Sequence, residues 1–176
     1  MRFRNLGLVI VMSGALLGLA CSSQPTASEP AYKDSVKQAL EQADLKDVSV
    51  SEDRDKNTIT LEGTLHTDNA KQSASEVAKR AAGPRIVANE ISVQPLGSES
   101  QAKDIASNQD EAIEKNFKAA LIAQGLDKQR IKFDAKNGVL TLKGSVKTAP
   151  QRFEAQQIAQ AVPNVQQVVN DLDVKR

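Results

Sequence analysis

The chain lacks most of what catalytic and metal sites require. Among its 176 residues there are one Cys, one His and no Trp. A single thiol cannot form an internal disulfide, and a lone histidine, His66, cannot build a catalytic dyad or a metal cluster. No Ser/His/Asp, Cys/His or paired-carboxylate set is visible. We therefore predict no enzymatic activity, no metal site and no cofactor.

Strong charge and aromatic residues are also scarce. The net charge is +1, so no global field directs the protein toward nucleic acid. Only one Tyr and four Phe are present, and basic residues do not alternate with them as they do on nucleic-acid-binding surfaces. Nucleic acid is therefore not a predicted partner, and the cores are expected to be aliphatic.

Two segments of the chain repeat each other. Residues 59–93 align without a gap with residues 140–174, at a shift of 81 positions, and nine of the 35 positions are identical. The clearest shared string is Thr-Leu-x-Gly-(Thr/Ser)-(Leu/Val), at residues 60–65 and again at residues 141–146. A repeat of this length indicates one small domain written twice.

Each copy shows the same order of predicted elements. Apolar residues at helical spacing are followed by a hairpin, a second helix and a closing strand. Thr67 or Asp68 is the predicted N-cap of the second helix in the first copy, and Thr148 is the predicted N-cap in the second. Asn137-Gly138 is a strong hairpin signal. The pattern predicts an α+β fold of two repeated α-β-β-α-β domains. Each is a small three-stranded mixed sheet with two helices on one face and a wet opposite face.

The N-terminal segment predicts export. Residues 1–20 have two Arg before an apolar run and end in a small residue, which is typical of a signal peptide. The string Leu-Gly-Leu-Ala-Cys at residues 17–21 resembles a bacterial lipobox, which implies acylation of Cys21 and anchoring to a membrane. The alternative is a secretory signal with an incidental Cys. Ser22 follows the Cys, and by analogy with Gram-negative sorting this favours the outer over the inner membrane.

These features divide the chain into five predicted parts. They are a signal peptide (1–20), a lipidated Cys with its tether (21–30), a first domain (31–95), a linker (96–108) with some helix expected near residues 102–106, and a second domain (109–176). We expect the two domains to fold separately and a protease to cut first within the linker.

The two domains differ in charge. The first contains nine Lys/Arg and eleven Asp/Glu, a net of −2, whereas the second contains eleven and eight, a net of +3. On the first helix of the second copy, the face away from the core is predicted to carry Lys115, Lys118 and Ile122. The matching face of the first copy carries Asp34, Lys37 and Glu41. A basic face with an apolar residue suits an anionic membrane, but an ordinary solvated face with one stray Ile is the alternative.

Phe153 is the other candidate contact residue. It is predicted to lie opposite the core face of the second helix, where the first copy has Gln72. It could insert in lipid, pack against the other domain or be incidental.

Four repeated residues are assigned structural roles. Gly63 and Gly144 share the parity of inward-facing leucines, so they are expected to let a helix approach the sheet closely. Asn89 and Asn170 are expected to satisfy a turn or bulge at the start of the closing strand.

The shared strand motif, the Ala-rich helix and the closing (Val)-x-Asn-x-(Ile/Leu)-x-Val strand, taken in this order and duplicated, resemble the BON domain, a bacterial envelope module. The resemblance covers about three quarters of the chain, and the layout is most similar to tandem BON outer-membrane lipoproteins. It implies periplasmic location, binding of phospholipid or membrane surface, envelope maintenance and no catalytic residues. In the lipoprotein branch the lipid contact lies on the second copy, around its first helix.

The sequence therefore predicts a lipid-anchored periplasmic protein. Its partners would be the membrane, through acylated Cys21, and anionic phospholipid, through Lys115, Lys118, Ile122 and Phe153. The alternative is a periplasmic adapter or chaperone-like module that binds envelope proteins and has no lipid recognition by its domains.

Overall fold

The computed structural model describes residues 31–175. The predicted signal peptide, Cys21 and the tether lie outside the described residues. Two α-β-β-α-β units follow each other along the described chain: α1 (Tyr32–Gln42), β1 (Val48–Asp53), β2 (Thr58–Leu65), α2 (Asp68–Ala81), β3 (Ile86–Asn89), β4 (Ser92–Val93), α3 (Glu99–Ala123), β5 (Arg130–Lys136), β6 (Val139–Val146), α4 (Ala149–Gln160) and β7 (Gln167–Val174).

Each unit has a three-stranded mixed sheet. In the first, β1 is antiparallel to β2, and β3 and β4 both run parallel to β2. Because β3 and β4 keep the same register on β2, they are two parts of one interrupted third strand. In the second, β5 is antiparallel to β6, and β7 runs parallel to β6 over its full length. The predicted α+β fold is confirmed.

Local sequence signals explain where the elements begin and turn. The Thr67 side chain accepts a hydrogen bond from the Ala70 N–H at the start of α2. Thr148 caps α4 in a capping box with Gln151. Asn137 and Gly138 have φ angles of 49° and 82°, as a two-residue hairpin turn requires at both central positions.

The helices of each unit cover one face of its sheet. In the first unit, Val36 and Leu40 of α1 and Ala74 and Ala78 of α2 are buried against the sheet, in one cluster with Leu61. In the second unit the equivalent cluster contains Ile113, Phe117, Leu121, Ala155, Ala159 and Leu142. Phe117 and Phe133 meet edge to face, with ring centroids 5.0 Å apart.

The opposite sheet faces are not wholly wet, because they meet between the two copies. Ala88, Val139 and Val169 lie on the faces turned away from the helices, and together they form a small buried cluster. Residues Ala31–Arg176 accordingly form one compact unit. The expected wet face is therefore correct only for the part of each sheet outside this contact.

Polar groups surround that apolar contact. Lys136 bonds Glu62 and lies 3.1 Å from a carboxylate oxygen of Glu90, and the hydrogen bond from Lys136 to Glu62 raises the pKa of Lys136. Lys71 donates to the Asn137 carbonyl at 3.1 Å, and burial lowers the pKa of Lys71. Gln167 donates to the Val87 carbonyl at 2.6 Å. These bonds fix the copies against each other without a large hydrophobic interface.

The predicted linker is mostly helix. Helix α3 begins at Glu99, so residues 99–108 extend the first helix of the second copy instead of forming a loose connection. Asp110, near the middle of α3, accepts hydrogen bonds from the Asn137 and Gly138 N–H groups at 2.7 and 2.9 Å. These bonds hold this part of α3 against the β5–β6 turn. The helix expected only near residues 102–106 therefore begins at Glu99 and is continuous with the first helix of the second copy.

The expected reason for the two strand glycines is wrong. Gly63 and Gly144 have φ angles of 138° and 105°, which side-chain-bearing residues rarely adopt. A Cβ at Gly144 would lie 2.0 Å from the carbonyl oxygen of Arg130, and one at Gly63 would lie 2.3 Å from that of Asp47. The close approach is therefore by the backbone of the neighbouring strand, not by a helix.

The two repeated asparagines tie the closing strand to a helix. The Asn89 amide donates to the Lys71 carbonyl of α2 at 2.9 Å, and the Asn170 amide donates to the Arg152 carbonyl of α4 at 3.2 Å. Each side-chain oxygen accepts from the backbone N–H two residues later. Their place is within the closing strand and not at its start, so the expected role at the strand entrance is corrected to a strand-to-helix clamp.

Candidate functional site

Helix α3 presents the predicted basic and apolar side chains on its outer surface. Lys115, Lys118 and Ile122 follow one another at spacings of three and four, which places them in one stripe along the helix. The buried residues Ile113, Phe117 and Leu121 occupy the opposite side. Both lysines are exposed, and Ile122 is 56% exposed. We call Lys115, Lys118 and Ile122 the α3 stripe.

One acidic residue that the sequence analysis missed changes the charge of the α3 stripe. Glu111 lies one turn before Lys115, and its carboxylate is 2.7 Å from the Lys115 ammonium group. The hydrogen bond from Lys115 lowers the pKa of Glu111, so the pair is ionised at neutral pH. Among the described residues Lys118 has no salt-bridge partner. Lys118 is therefore the dominant charge of the stripe, and Lys115 is largely compensated.

Phe153 lies on α4, outside the hydrophobic core. Its side chain is 63% exposed, so it is not buried against the first copy. This disagrees with the interdomain-packing alternative. Both α3 and α4 cover the same face of the second sheet, and both the α3 stripe and Phe153 point away from that sheet. They therefore share the outer surface of the helix layer, on two different helices.

The matching helix of the first copy is a natural comparison. Asp34, Lys37 and Glu41 of α1 occupy the positions of Lys115, Lys118 and Ile122 and are also exposed. The Lys37 ammonium nitrogen lies 4.0 Å from a carboxylate oxygen of Glu41, as an exposed ion pair. The same fold thus carries an acidic, wholly polar face in one copy and a basic, partly apolar face in the other.

A shallow apolar cleft lies beside the α3 stripe. It has a volume of about 350 Å³, and its apolar lining is Leu121, Ile122, Leu126, Ile131 and Phe133. The polar residues Lys118, Asp127 and Gln129 also line it. In the first copy the residues in register with Ile131 and Phe133 are Val48 and Val50, and both are buried. The signal for this difference was present in the sequence, since larger residues replace the valines and Ile122 replaces Glu41.

The described residues offer no other obvious chemistry. Among residues 31–175 there is no group of His, Cys, Asp or Glu that could hold a metal ion. None of the helices in that range combines the length and hydropathy that crossing a membrane requires. His66 bonds the Gln94 carbonyl at 2.8 Å, which is a structural contact. Cys21, the predicted acylation site, lies outside the described residues.

The fold and its surface thus define a class: a tandem of two α-β-β-α-β modules whose helix layers differ in charge. The family model of the BON domain matches this chain twice, over residues 28–95 and 109–176. The chain belongs to the BON domain family.

One curated relative covers most of the chain. The chain is 32% identical over 142 residues to osmotically-inducible protein Y of Escherichia coli K12, and the alignment covers 80% of this chain and 69% of that protein. These matches indicate no catalytic family.

Two solved structures of CdsD, a structural protein of the type III secretion system of Chlamydia trachomatis, are also similar. They are 14% and 11% identical, with TM-scores of 0.33 and 0.35. Each alignment covers 81% of this chain, and 67% and 91% of the respective structure. The likeness is too low to support an inference about function.

Proposed function

We propose that this protein is a lipid-anchored component of the bacterial periplasm whose second BON domain binds anionic phospholipid and thereby supports envelope integrity. The contact surface is the α3 stripe with Phe153. Membership of the BON family and similarity to an osmotically inducible protein support an envelope function. The proposed action is binding, and it requires no cofactor.

The observation that carries the proposal is the contrast between two equivalent helix faces in one chain. A structural requirement of the fold would act on α1 and α3 alike, because both helices cover their sheets in the same way. Only α3 combines a lysine that has no salt-bridge partner among the described residues with an exposed isoleucine. This combination is typical of a surface that meets anionic headgroups and inserts an apolar side chain between them.

The expected affinity is low. A lysine near an anionic membrane contributes about 1 kcal/mol, and salt screens this attraction. Because Glu111 compensates Lys115, the stripe supplies little more than one effective charge, together with partial burial of Ile122 and Phe153. Acyl chains on Cys21 would hold the domain beside the membrane at high effective concentration, where weak contacts suffice to orient it.

Vesicle co-sedimentation of residues 22–176 tests the lipid contact without the anchor. This fragment contains every described residue and the compact unit Ala31–Arg176. We expect binding at low salt to vesicles that contain phosphatidylglycerol, and loss of that binding as salt is raised. Vesicles of phosphatidylcholine alone should bind less. Equal binding to both, or binding to neither, would contradict lipid recognition by the domain.

The anchor is tested separately in the full chain. We expect Cys21 to carry acyl chains by mass spectrometry and the protein to fractionate with membranes, in the outer membrane rather than the inner. Cys21→Ser should release or mislocalise it. A soluble mature protein with an unmodified Cys21 would exclude the anchor. The lipid contact would then be judged from the vesicle experiment alone.

A periplasmic adapter that binds envelope proteins remains the second candidate function. One specific observation favours it, namely the open edge of strand β5 in the second copy.

A further inference from the structure

Strand β5 is an edge of the second sheet, because it pairs with β6 alone. In an antiparallel pair every second residue directs its N–H and C=O away from the partner strand. Ala135 is one of these, since its N–H bonds the Glu114 carboxylate at 3.0 Å. By the same alternation Ile131 and Phe133 present their backbone groups outward. Among the described residues none accepts a hydrogen bond from either of these N–H groups.

The first copy closes the equivalent edge at one of the two positions. Val48 is in register with Ile131, and its N–H is bonded to the Leu45 carbonyl at 3.3 Å. The side chain of Val48 is buried, whereas Ile131 is half-buried and lines the cleft beside α3. The second copy therefore differs in two linked ways at Ile131. The outward N–H of Ile131 has no acceptor among the described residues, and an apolar cleft lies directly beside it.

Charge on the open edge selects what can pair with it. Arg130 and Lys132 are exposed on the sheet face away from the helices. Along β5, Lys132 lies between the cleft residues Ile131 and Phe133, and Arg130 precedes Ile131. Lys132 stands opposite Lys143, which stands beside Asp171 on β7. The rows that begin at Arg130 and Lys132 are therefore basic at the β5 edge and acidic at β7, whereas Asp134, exposed on the same face of β5, is acidic. The first copy has Asp47 and Ser49 where the second has Arg130 and Lys132.

This arrangement favours one occupant over another. In an antiparallel pair with a second copy of β5 centred on Lys132, Lys132 lies opposite Lys132, and like charges directly opposite each other destabilise a strand pair, although Arg130 then lies opposite Asp134. An added strand with acidic residues at those positions would place carboxylates opposite Arg130 and Lys132. Its intervening side chains would point to the helix side and enter the cleft, where apolar residues fit.

We propose that the β5 edge binds an extended segment of a partner protein in which acidic and apolar residues alternate. The segment adds as a fourth, antiparallel strand. Its apolar residues exchange backbone hydrogen bonds with Ile131 and Phe133 and place their side chains in the cleft. Its acidic residues lie beside Arg130 and Lys132. This binding goes beyond the proposed lipid contact on the outer surface of the helix layer, and the two surfaces meet at Lys118 and Ile122 beside the cleft.

A fluorescent peptide that alternates glutamate with valine provides the probe. Fluorescence anisotropy with residues 22–176 should show binding that weakens with salt. N-methylation of the valines removes the N–H groups that face β5, and we expect binding at least about tenfold weaker, because two backbone hydrogen bonds to β5 are lost. N-methylation of the glutamates, whose N–H groups face solvent, is the matched control and should change binding little. Equal effects of the two methylations would overturn strand addition.

Charge exchange provides an independent test on the protein side. The double variant Arg130→Glu with Lys132→Glu should lose the glutamate peptide and bind a peptide that alternates lysine with valine. Neither residue lies in the core or in the lipid-contact surface, so circular dichroism should be unchanged. A double variant that binds the glutamate peptide as wild type does would overturn the proposal.

The membrane is the competing explanation for the basic edge. If no peptide binds and the double variant instead loses vesicle binding, the edge belongs to the lipid surface, and the peptide proposal is wrong. If the double variant still binds vesicles but no longer binds the glutamate peptide, the result supports separate binding of lipid and peptide.

Discussion

The side-chain amide of Asn137 donates a 2.8 Å hydrogen bond to the backbone carbonyl of Glu90, so the hairpin turn of the second copy is bonded to the closing strand of the first. The same turn accepts a bond from Lys71 of the first copy and donates two to Asp110 of α3. One two-residue turn therefore connects three elements. It is one of the contacts that join the two copies into one compact unit.

The first prediction separates the two roles of Asn137. Asn137→Gly keeps the left-handed turn but removes the bond to Glu90, and we expect it to lower the free energy of unfolding by about 1 kcal/mol. Asn137→Ala also places alanine at a φ near 49°, where its Cβ is strained. This strain should lower the free energy of unfolding further, by about 1–2 kcal/mol. Thermal and urea unfolding measure both. A glycine variant as stable as wild type would show that the bond between the copies contributes nothing.

The second prediction concerns the strand glycines. Gly144→Ala would place a Cβ 2.0 Å from a backbone oxygen at a φ of 105°, so we expect destabilisation by more than about 3 kcal/mol, or failure to fold. Gly125→Ala is the control, because Gly125 has a φ of 69° but nothing within 4 Å of a new Cβ. That change should cost only about 1–2 kcal/mol. Similar losses for both variants would refute the close backbone approach at Gly144.

The third prediction follows from the carboxylate of Asp171. Burial raises the pKa of Asp171, and nearby Asp53 raises it further, while Lys56, Lys143 and Arg152 oppose the shift. A raised pKa in the folded state means that ionisation of Asp171 destabilises the fold. This penalty is complete above the folded pKa and disappears as pH falls below the unfolded value of about 3.9.

Asp171→Asn should therefore raise the unfolding temperature at pH 7, and the difference from wild type should shrink as pH falls through the raised pKa toward about 3.9. Thermal unfolding across this range tests it. A variant that is less stable than wild type at pH 7 would mean that the attraction to the three basic neighbours outweighs the burial.

Much of the fold is readable from the sequence because its signals are local. Thr67 and Thr148 cap their helices, and Asn137-Gly138 forms the turn that its composition demands. The interdomain contact is harder to predict, because the other outward residues of these strands are polar apart from Ile86, which is 40% exposed and is not part of the cluster of Ala88, Val139 and Val169. Three apolar residues on that face were the available signal, but only the tertiary structure shows that they meet.

Other misses have identifiable physical causes. Residues 99–108 carry no strong apolar period, so only a short helix near residues 102–106 was expected. Bonds such as those of Asp110 hold the longer helix in place. The exposure of Lys115, Lys118, Ile122 and Phe153 was predicted correctly from helical spacing. Their lipid contact stays a prediction. The partner of Lys115 was available from sequence, since Glu111 stands four residues before it, at the spacing that favours ion pairs.

The central claim rests on Lys118, and the chain supplies its own control. Lys37 occupies the equivalent position of α1 and is likewise an exposed lysine on the outer side of the helix. Glu111→Gln releases Lys115 from its ion pair, so this variant should strengthen binding to anionic vesicles rather than weaken it. Measuring Lys118→Glu, Lys37→Glu and Glu111→Gln in residues 22–176 compares the two helix faces within one protein.

The most direct measurement is the binding constant of Lys118→Glu and of Lys37→Glu for vesicles that contain phosphatidylglycerol, at low salt. Reversal of one charge near the membrane changes the binding free energy by roughly 2 kcal/mol, so we expect Lys118→Glu to bind about thirtyfold more weakly. Lys37→Glu should bind as wild type does, with circular dichroism unchanged in both. Equal losses for the two variants would mean a response to net charge alone, and no loss for Lys118→Glu would show that the α3 stripe is not the lipid-contact surface.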